Sequence, residues 1–158
     1  MTAAQVVALC RRLERLDLTI WLDGGWGVDA LLGRQTRPHD DLDIVVEEKN
    51  LAQLRALLET DGFRDVQRDD TQPWNFVLGH PDGRLIDFHV VVFDRDGNGV
   101  SGPGVFPASS FGATGAIEGH AVQCLTAQHQ LARSGYRLRA KDHADLQALR
   151  ERFEPPRP

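Results

Sequence analysis

Apolar positions along the chain change period from one segment to the next. In residues 3–16, Val6, Leu9, Cys10, Leu13 and Leu16 fall three and four apart, which predicts a helix, and Thr2 with Gln5 forms a capping-box pattern at its start. LTIWL (18–22) reads as a strand interrupted by Gly24 and Gly25. A short helix is predicted from Trp26 to Leu32, with Gly33 as its stop. DLDIVV (41–46) predicts a second strand. Asn50 is the expected cap of a helix running to Thr60, Gly62 ends it, and 63–68 forms a weaker strand. WNFVLGH (74–80) and RLIDFHVVVF (84–93) flank Pro81-Asp82-Gly83, which predicts a hairpin. Residues 94–116, rich in Gly, Ser and Pro, read as a long loop of the kind that serves as a lid or binding element. HAVQCL (120–125) is a short strand, and Thr126 is the expected cap of a helix to Ser134, stopped by Gly135. A last helix is expected over 141–152. This order predicts an α+β fold: a mixed β-sheet flanked by helices in a single domain, with a core of about 1–125 and C-terminal helices over 126–152.

Composition narrows the partners. A chain of 158 residues with 41% hydrophobic and 26% charged residues fits one compact domain. No apolar run reaches the roughly 18 residues of a membrane span, and the first residues lack a secretory core, so a cytoplasmic protein with no membrane partner is expected. Cys10 and Cys124 stand alone in apolar segments and are expected as reduced core residues. A net charge of −5 argues against a nucleic-acid partner and fits a metal-filled acidic pocket or a cationic small molecule.

The candidate chemistry lies in WLDGGWGVDALLGRQTRPHDDLDIVV (21–46). Asp41 and Asp43, two apart on a strand, share one face while Leu42 and Ile44 take the other. Two carboxylates so held repel each other unless a cation lies between them, and Mg²⁺ favours a few carboxylates plus phosphate oxygens. In RLIDFHVVVF, Asp87 shares a face with Leu85 and His89, and an acid in an apolar strand is costly if unpaired. Pairing of the two strands would gather three carboxylates on one surface. Gly24-Gly25, between a strand and a helix, offers backbone N–H groups to an anion. Asp29 reads as an outer-face residue or a brace for the following loop, Asp40 as solvent-exposed, and Trp21 and Trp26 as core. Lys141 reads as solvated or as a phosphate contact, near Tyr136 and His143. DRDGNG (94–99) opens like a calcium loop, but its twelfth position is Val105 where a bidentate Glu is needed, so a turn is expected.

The glycine pair, the helix, Asp-x-Asp on the next strand and a third acid on a later strand resemble the polymerase-beta-like nucleotidyltransferase superfamily. WLDGGWGVDALLG with TRPHDDLDI is similar to the small lincosamide nucleotidyltransferases and to the aminoglycoside 2″-adenylyltransferases. LIDFHVV and SGYRLRAKDHADLQAL lean towards the lincosamide group. The resemblance implies transfer of a nucleoside monophosphate, from ATP or another NTP, to a hydroxyl of an antibiotic, with release of pyrophosphate. It implies Asp41, Asp43 and Asp87 as catalytic metal ligands for Mg²⁺, two ions in all, with Asp87 as ligand or as general base. It places Gly24, Gly25 and Trp26 beside the triphosphate, and Arg37 and His39 either on phosphates or as braces of the loop. His89 would orient Asp87 or reach the substrate. Small members of the group are similar in forming homodimers that share the acceptor pocket. Other readings are an aminoglycoside acceptor, a toxin–antitoxin nucleotidyltransferase acting on protein or tRNA, and a non-catalytic nucleotide binder.

Overall fold

The computed structural model describes residues 1–132 and 140–154. In chain order its elements are α1 (Ala3–Glu14), β1 (Ile20–Leu22), α2 (Gly24–Leu32), β2 (Asp41–Glu47), α3 (Glu48–Thr60), β3 (Arg64–Val66), β4 (Asn75–Gly79) and β5 (Leu85–Phe93). There follow β6 (Gly99–Ser101), β7 (Gly104–Phe106), a 3₁₀ turn at Ala108–Ser110, β8 (Ala113–Ile117), β9 (His120–Cys124), α4 (Ala127–Leu131) and α5 (Ala140–Phe153). The main sheet runs β3-β4-β5-β2-β1-β9-β8, and β6 and β7 form a ribbon on the end of β5. β2 pairs in parallel with β5, and β1 in parallel with β9, while the other pairs are antiparallel. The sheet is therefore mixed, as the alternation of helix and strand patterns predicts.

β2 is central, flanked by β1 and β5, so both edges of its backbone are hydrogen-bonded. Its inward residues Leu42, Ile44 and Val46 join Ile86, Phe88 and Val90 of β5 in the main core, beneath Leu13 of α1 and Leu54 and Leu58 of α3. Phe76 stacks on Phe88 in the same layer at 4.7 Å between ring centroids. On the opposite face, Val45, Val91 and Leu125 form a smaller cluster beneath Trp21, Phe93, Phe106 and Phe111. Burial pushes the Cys10 thiol up to about 12 and the Cys124 thiol to about 11, so both are inert packing groups.

The Thr2–Gln5 capping box forms, and Thr126 caps α4 by accepting from His129 N. Four local expectations change. The glycine pair does not precede α2 but forms its first turn, because Asp23 is the cap. α3 begins two residues before Asn50, with Glu47 at its cap and no side-chain cap bond. The stretch 94–116 is not an open loop: it folds into β6, β7, the 3₁₀ turn and most of β8. α4 ends at Leu131, and Ser134, Gly135 and Tyr136 lie outside the described residues. DRDGNG is a turn in which Asp94 Oδ1 accepts from the N–H groups of Asp96 and Asn98.

Candidate active site

The parallel register sets Asp43 beside Asp87 and Val45 beside His89. Paired strands lie about 4.8 Å apart, so the two aspartates are neighbours on one sheet surface, with Asp41 one step along it on the same face. All three are half-buried, whereas the alternating Leu42, Ile44, Ile86 and Phe88 are fully buried. The expected gathering of three acids is thus met by topology.

Asp87 carries the sharpest signal of the three. Its Oδ1 is buried with no hydrogen-bond partner, and Arg68 Nη1 lies 3.5 Å from Oδ2. Burial holds this carboxyl above the usual carboxylate range; His89 and Arg68 pull it back down, while Asp41 and Asp70 push it up. A carboxylate oxygen left orphaned against a second aspartate is a donor set suited to a hard cation completed by phosphate oxygens. Among the described residues, no three His, Cys, Asp or Glu side chains hold a metal ion by themselves.

The raised Asp87 also fixes a sign. The fold is favoured while this group is protonated, and that contribution is withdrawn as pH rises through its folded-state value. Asp87→Asn, free of added metal, is therefore expected to melt above wild type at neutral pH. The gain should fade as pH falls into the range of an ordinary carboxylate, where wild-type Asp87 is protonated in folded and unfolded chains alike. Thermal denaturation across pH reads this directly, and an unchanged or lower midpoint at neutral pH would refute it.

The glycine turn faces these acids at close range. Asp23 Oδ1 accepts from Gly24 N and from the buried Gln130 Nε2 of α4, both at 2.7 Å, and Asp23 N donates to the Asp43 carbonyl at 3.0 Å. Gly24 has φ +57°, and a Cβ there would sit 2.0 Å from Asp43 Oδ2. A Cβ on Gly25 would lie 2.2 Å from His39 Nδ1 and 2.9 Å from Arg37 Nη2. The glycines therefore admit the acid strand and its leading loop as well as offering backbone to an anion. Trp26 is 1% exposed, so its side chain is a core group packed on His39, and only its backbone borders the turn.

Arg37 and His39 spend their hydrogen-bonding groups inside the protein. Arg37 Nε and Nη2 grip both oxygens of the buried Asp145 of α5 at 3.1 and 2.5 Å, and Nη1 donates to Pro38 O. The Asp145 hydrogen bond raises the Arg37 guanidinium above its usual value. His39 Nε2 bonds Asp29 Oδ2. Asp29 is wholly buried, which corrects its outer-face reading and supports the alternative of a brace. Asp40 is exposed as expected, and Lys141 meets it at 3.4 Å.

Beside the acid row stands a shelf of rings. His89 lies 6.3 Å from Phe106, Phe106 stacks on His129 at 5.3 Å and 14°, and Trp21, Phe93 and Phe111 pack edge to face beside them. His129 is tied to Ser110 Oγ at 2.9 Å. Sequence patterning passed over Asp23, Arg68, Phe106, Gln130 and His129. Only Asp23 carried a local sign, as a cap residue directly before a glycine pair.

The mixed sheet thus sets acids on two adjacent parallel strands against a helix that opens on glycines. The protein's sequence matches the model of the aminoglycoside-2''-adenylyltransferase family over residues 5–149, and the chain belongs to that family. It is 30% identical over 156 residues to a lincosamide resistance protein of Staphylococcus haemolyticus, covering 95% of both chains. Its fold superposes on the lincomycin-bound lincosamide antibiotic adenylyltransferase LnuA with a TM-score of 0.81 at 28% identity, covering 95% of this chain and 97% of that one. It also superposes on ANT(2")-Ia in complex with adenylyl-2"-tobramycin, with a TM-score of 0.78 at 21% identity, covering 96% and 88%. Among the described residues no helix is long and apolar enough to cross a membrane.

Proposed function

We propose that this nucleotidyltransferase adenylylates a hydroxyl of a lincosamide, with ATP as donor. The observation that carries the acceptor class is the shelf of rings beside Asp87. Aminoglycosides are polycations and call for carboxylates in their pocket, whereas Trp21, His89, Phe106 and Phe111 present half-buried rings suited to the C–H faces of a sugar and to alkyl groups. The full-length likeness to a lincosamide resistance protein supports the same choice.

In this reading Asp41, Asp43 and Asp87 would hold Mg²⁺, and the ion would supply positive charge against that growing on the phosphates. Gly24 N and Gly27 N are bonded to Asp23, so phosphate oxygens would be received by the first-turn amides between them, those of Gly25 and Trp26. Asp87, beside them on the same sheet surface, would accept the proton of the acceptor hydroxyl. The hydroxyl oxygen bonds to the α-phosphorus, the bond to the bridging oxygen breaks, and pyrophosphate departs with those electrons. Arg68 is placed to steady the charge on Asp87. The homodimer is carried over from the resemblance to the small lincosamide nucleotidyltransferases, and a donor such as ATP suits a cytoplasmic location.

Pyrophosphate release with Mg²⁺, each NTP and a panel of lincosamides and aminoglycosides tests the reading. Turnover is expected with lincomycin or clindamycin and ATP. Turnover confined to aminoglycosides would reassign the acceptor, and silence across the panel would remove the proposal.

A further inference from the structure

Residues 34–40 join the helix that opens the site to the strand that carries its acids, and Thr36, Arg37 and His39 bond back to the body of the protein. Asp29, on α2, accepts from His39 Nε2, from Thr36 N at 3.0 Å and from Thr36 Oγ1 at 2.6 Å. The His39 side chain is 2% exposed and that of Asp29 is fully enclosed. The imidazole lies on the Trp26 indole, 4.7 Å between centroids, and turns Nδ1 to the backbone of Gly25. Outside this pair, Arg37 fastens the same segment to Asp145 of α5. The exposed Lys141–Asp40 contact adds little beside these.

A buried carboxylate and imidazole gain little stability over apolar groups of the same size, because both must leave water. What they add is direction. One imidazole touches α2 through Asp29, the glycine turn through Gly25, and the chain two residues before Asp41. We propose that the Asp29–His39 pair is a positioning device that sets the glycine turn and the start of β2 in register, so that phosphates over the first turn of α2 meet Asp41 and Asp43. His39 and Asp29 act through the acids they place and touch no reacting atom. The need for such registry rests on the nucleotidyltransferase reading, while the linkage itself is geometric.

Three variants test it: His39→Leu, His39→Gln and Asp29→Asn. A misplacement of about 1 Å costs on the order of a hundredfold in rate. His39→Leu is therefore expected to lose about a hundredfold in kcat while the acceptor KM stays within about twofold. His39→Gln, whose side-chain amide can still donate to Asp29, should recover about tenfold of that loss. Hydrogen exchange supplies a readout free of any substrate. The amides of Thr36 and of the start of β2 should lose protection in His39→Leu and regain it in His39→Gln, with α1 and α3 unchanged.

Wild-type kcat and exchange in folded His39→Leu would overturn the proposal. So would a folded His39→Gln as inactive as His39→Leu, since the imidazole would then act on substrate itself. If His39→Leu does not fold, Asp29→Asn carries the test: faster exchange in 36–43 with an unchanged acceptor KM supports positioning, and wild-type exchange and kcat overturn it. If the wild-type protein transfers nothing to any acceptor, the functional reading falls and the exchange experiment still decides the linkage.

Discussion

Asp43→Asn is expected to lower kcat by about a thousandfold or more while leaving the fold intact, and Asp41→Asn to do nearly the same. Divalent cations contribute several kcal/mol by stabilising charge on phosphoryl oxygens, and about 1.36 kcal/mol is a decade in rate. An amide in place of a carboxylate keeps one oxygen but loses the charge that recruits the cation. The loss falls on kcat because that charge grows in the transition state. Stability should hold, since Asp43 faces the site and the flanking Leu42 and Ile44 carry the core packing. Steady-state kinetics with saturating Mg²⁺ and nucleotide, beside a melting curve, make the measurement. An active, folded Asp41→Asn/Asp43→Asn double variant would show that these acids do not hold the metal.

Gly24→Ala should cost turnover heavily although it removes no functional group. Two penalties coincide at this position. A left-handed backbone costs a non-glycine residue about 1–2 kcal/mol, and the added methyl would sit 2.0 Å from Asp43 Oδ2. Relief requires either the first turn of α2 or the Asp43 carboxylate to move, and both belong to the site. The expected result is a folded protein melting several degrees lower, with kcat reduced about a hundredfold. Gly33→Ala is the matched control: its φ is +68° and its Cβ would meet nothing within 4 Å. It should show the thermal loss and keep the turnover. Equal activity in the two variants would mean that the close approach of Gly24 to Asp43 has no catalytic weight.

What the sequence reveals depends on the range of each interaction. Asp41, Asp43 and Asp87 are legible because strand alternation fixes the face of a side chain, and an acid among valines and leucines demands a reason. Their meeting is not legible in the same way. The Asp43–Asp87 register follows from a parallel pairing across 44 positions that alternation cannot choose. Asp29 misleads for a related reason. On a nine-residue helix it reads as an ordinary polar position, and its partners, Thr36 and His39, lie in a loop with no period. Asp145 is harder still, its partner Arg37 being 108 residues away. The ribbon over 99–106 escapes because three-residue strands holding glycine give alternation too few positions to register. The glycine pair was read as an anion seat; the structure adds that Gly24 and Gly25 must be small for Asp43 and His39 to approach at all.

β5 serves two masters along its length. Its first half lies between β2 and β4 and carries Asp87; its last two residues pair only with β6 of the ribbon, through Val92–Val100 and Phe93–Gly99. Phe106, in the middle of the ring shelf, sits on the far strand of that ribbon, two hydrogen-bonded steps from the main sheet. Asp87 and Phe106 therefore stand on parts of the fold joined through the end of β5. A ribbon hung on that end can change length without shifting the register of β2 on β5, which is set by the residues before it.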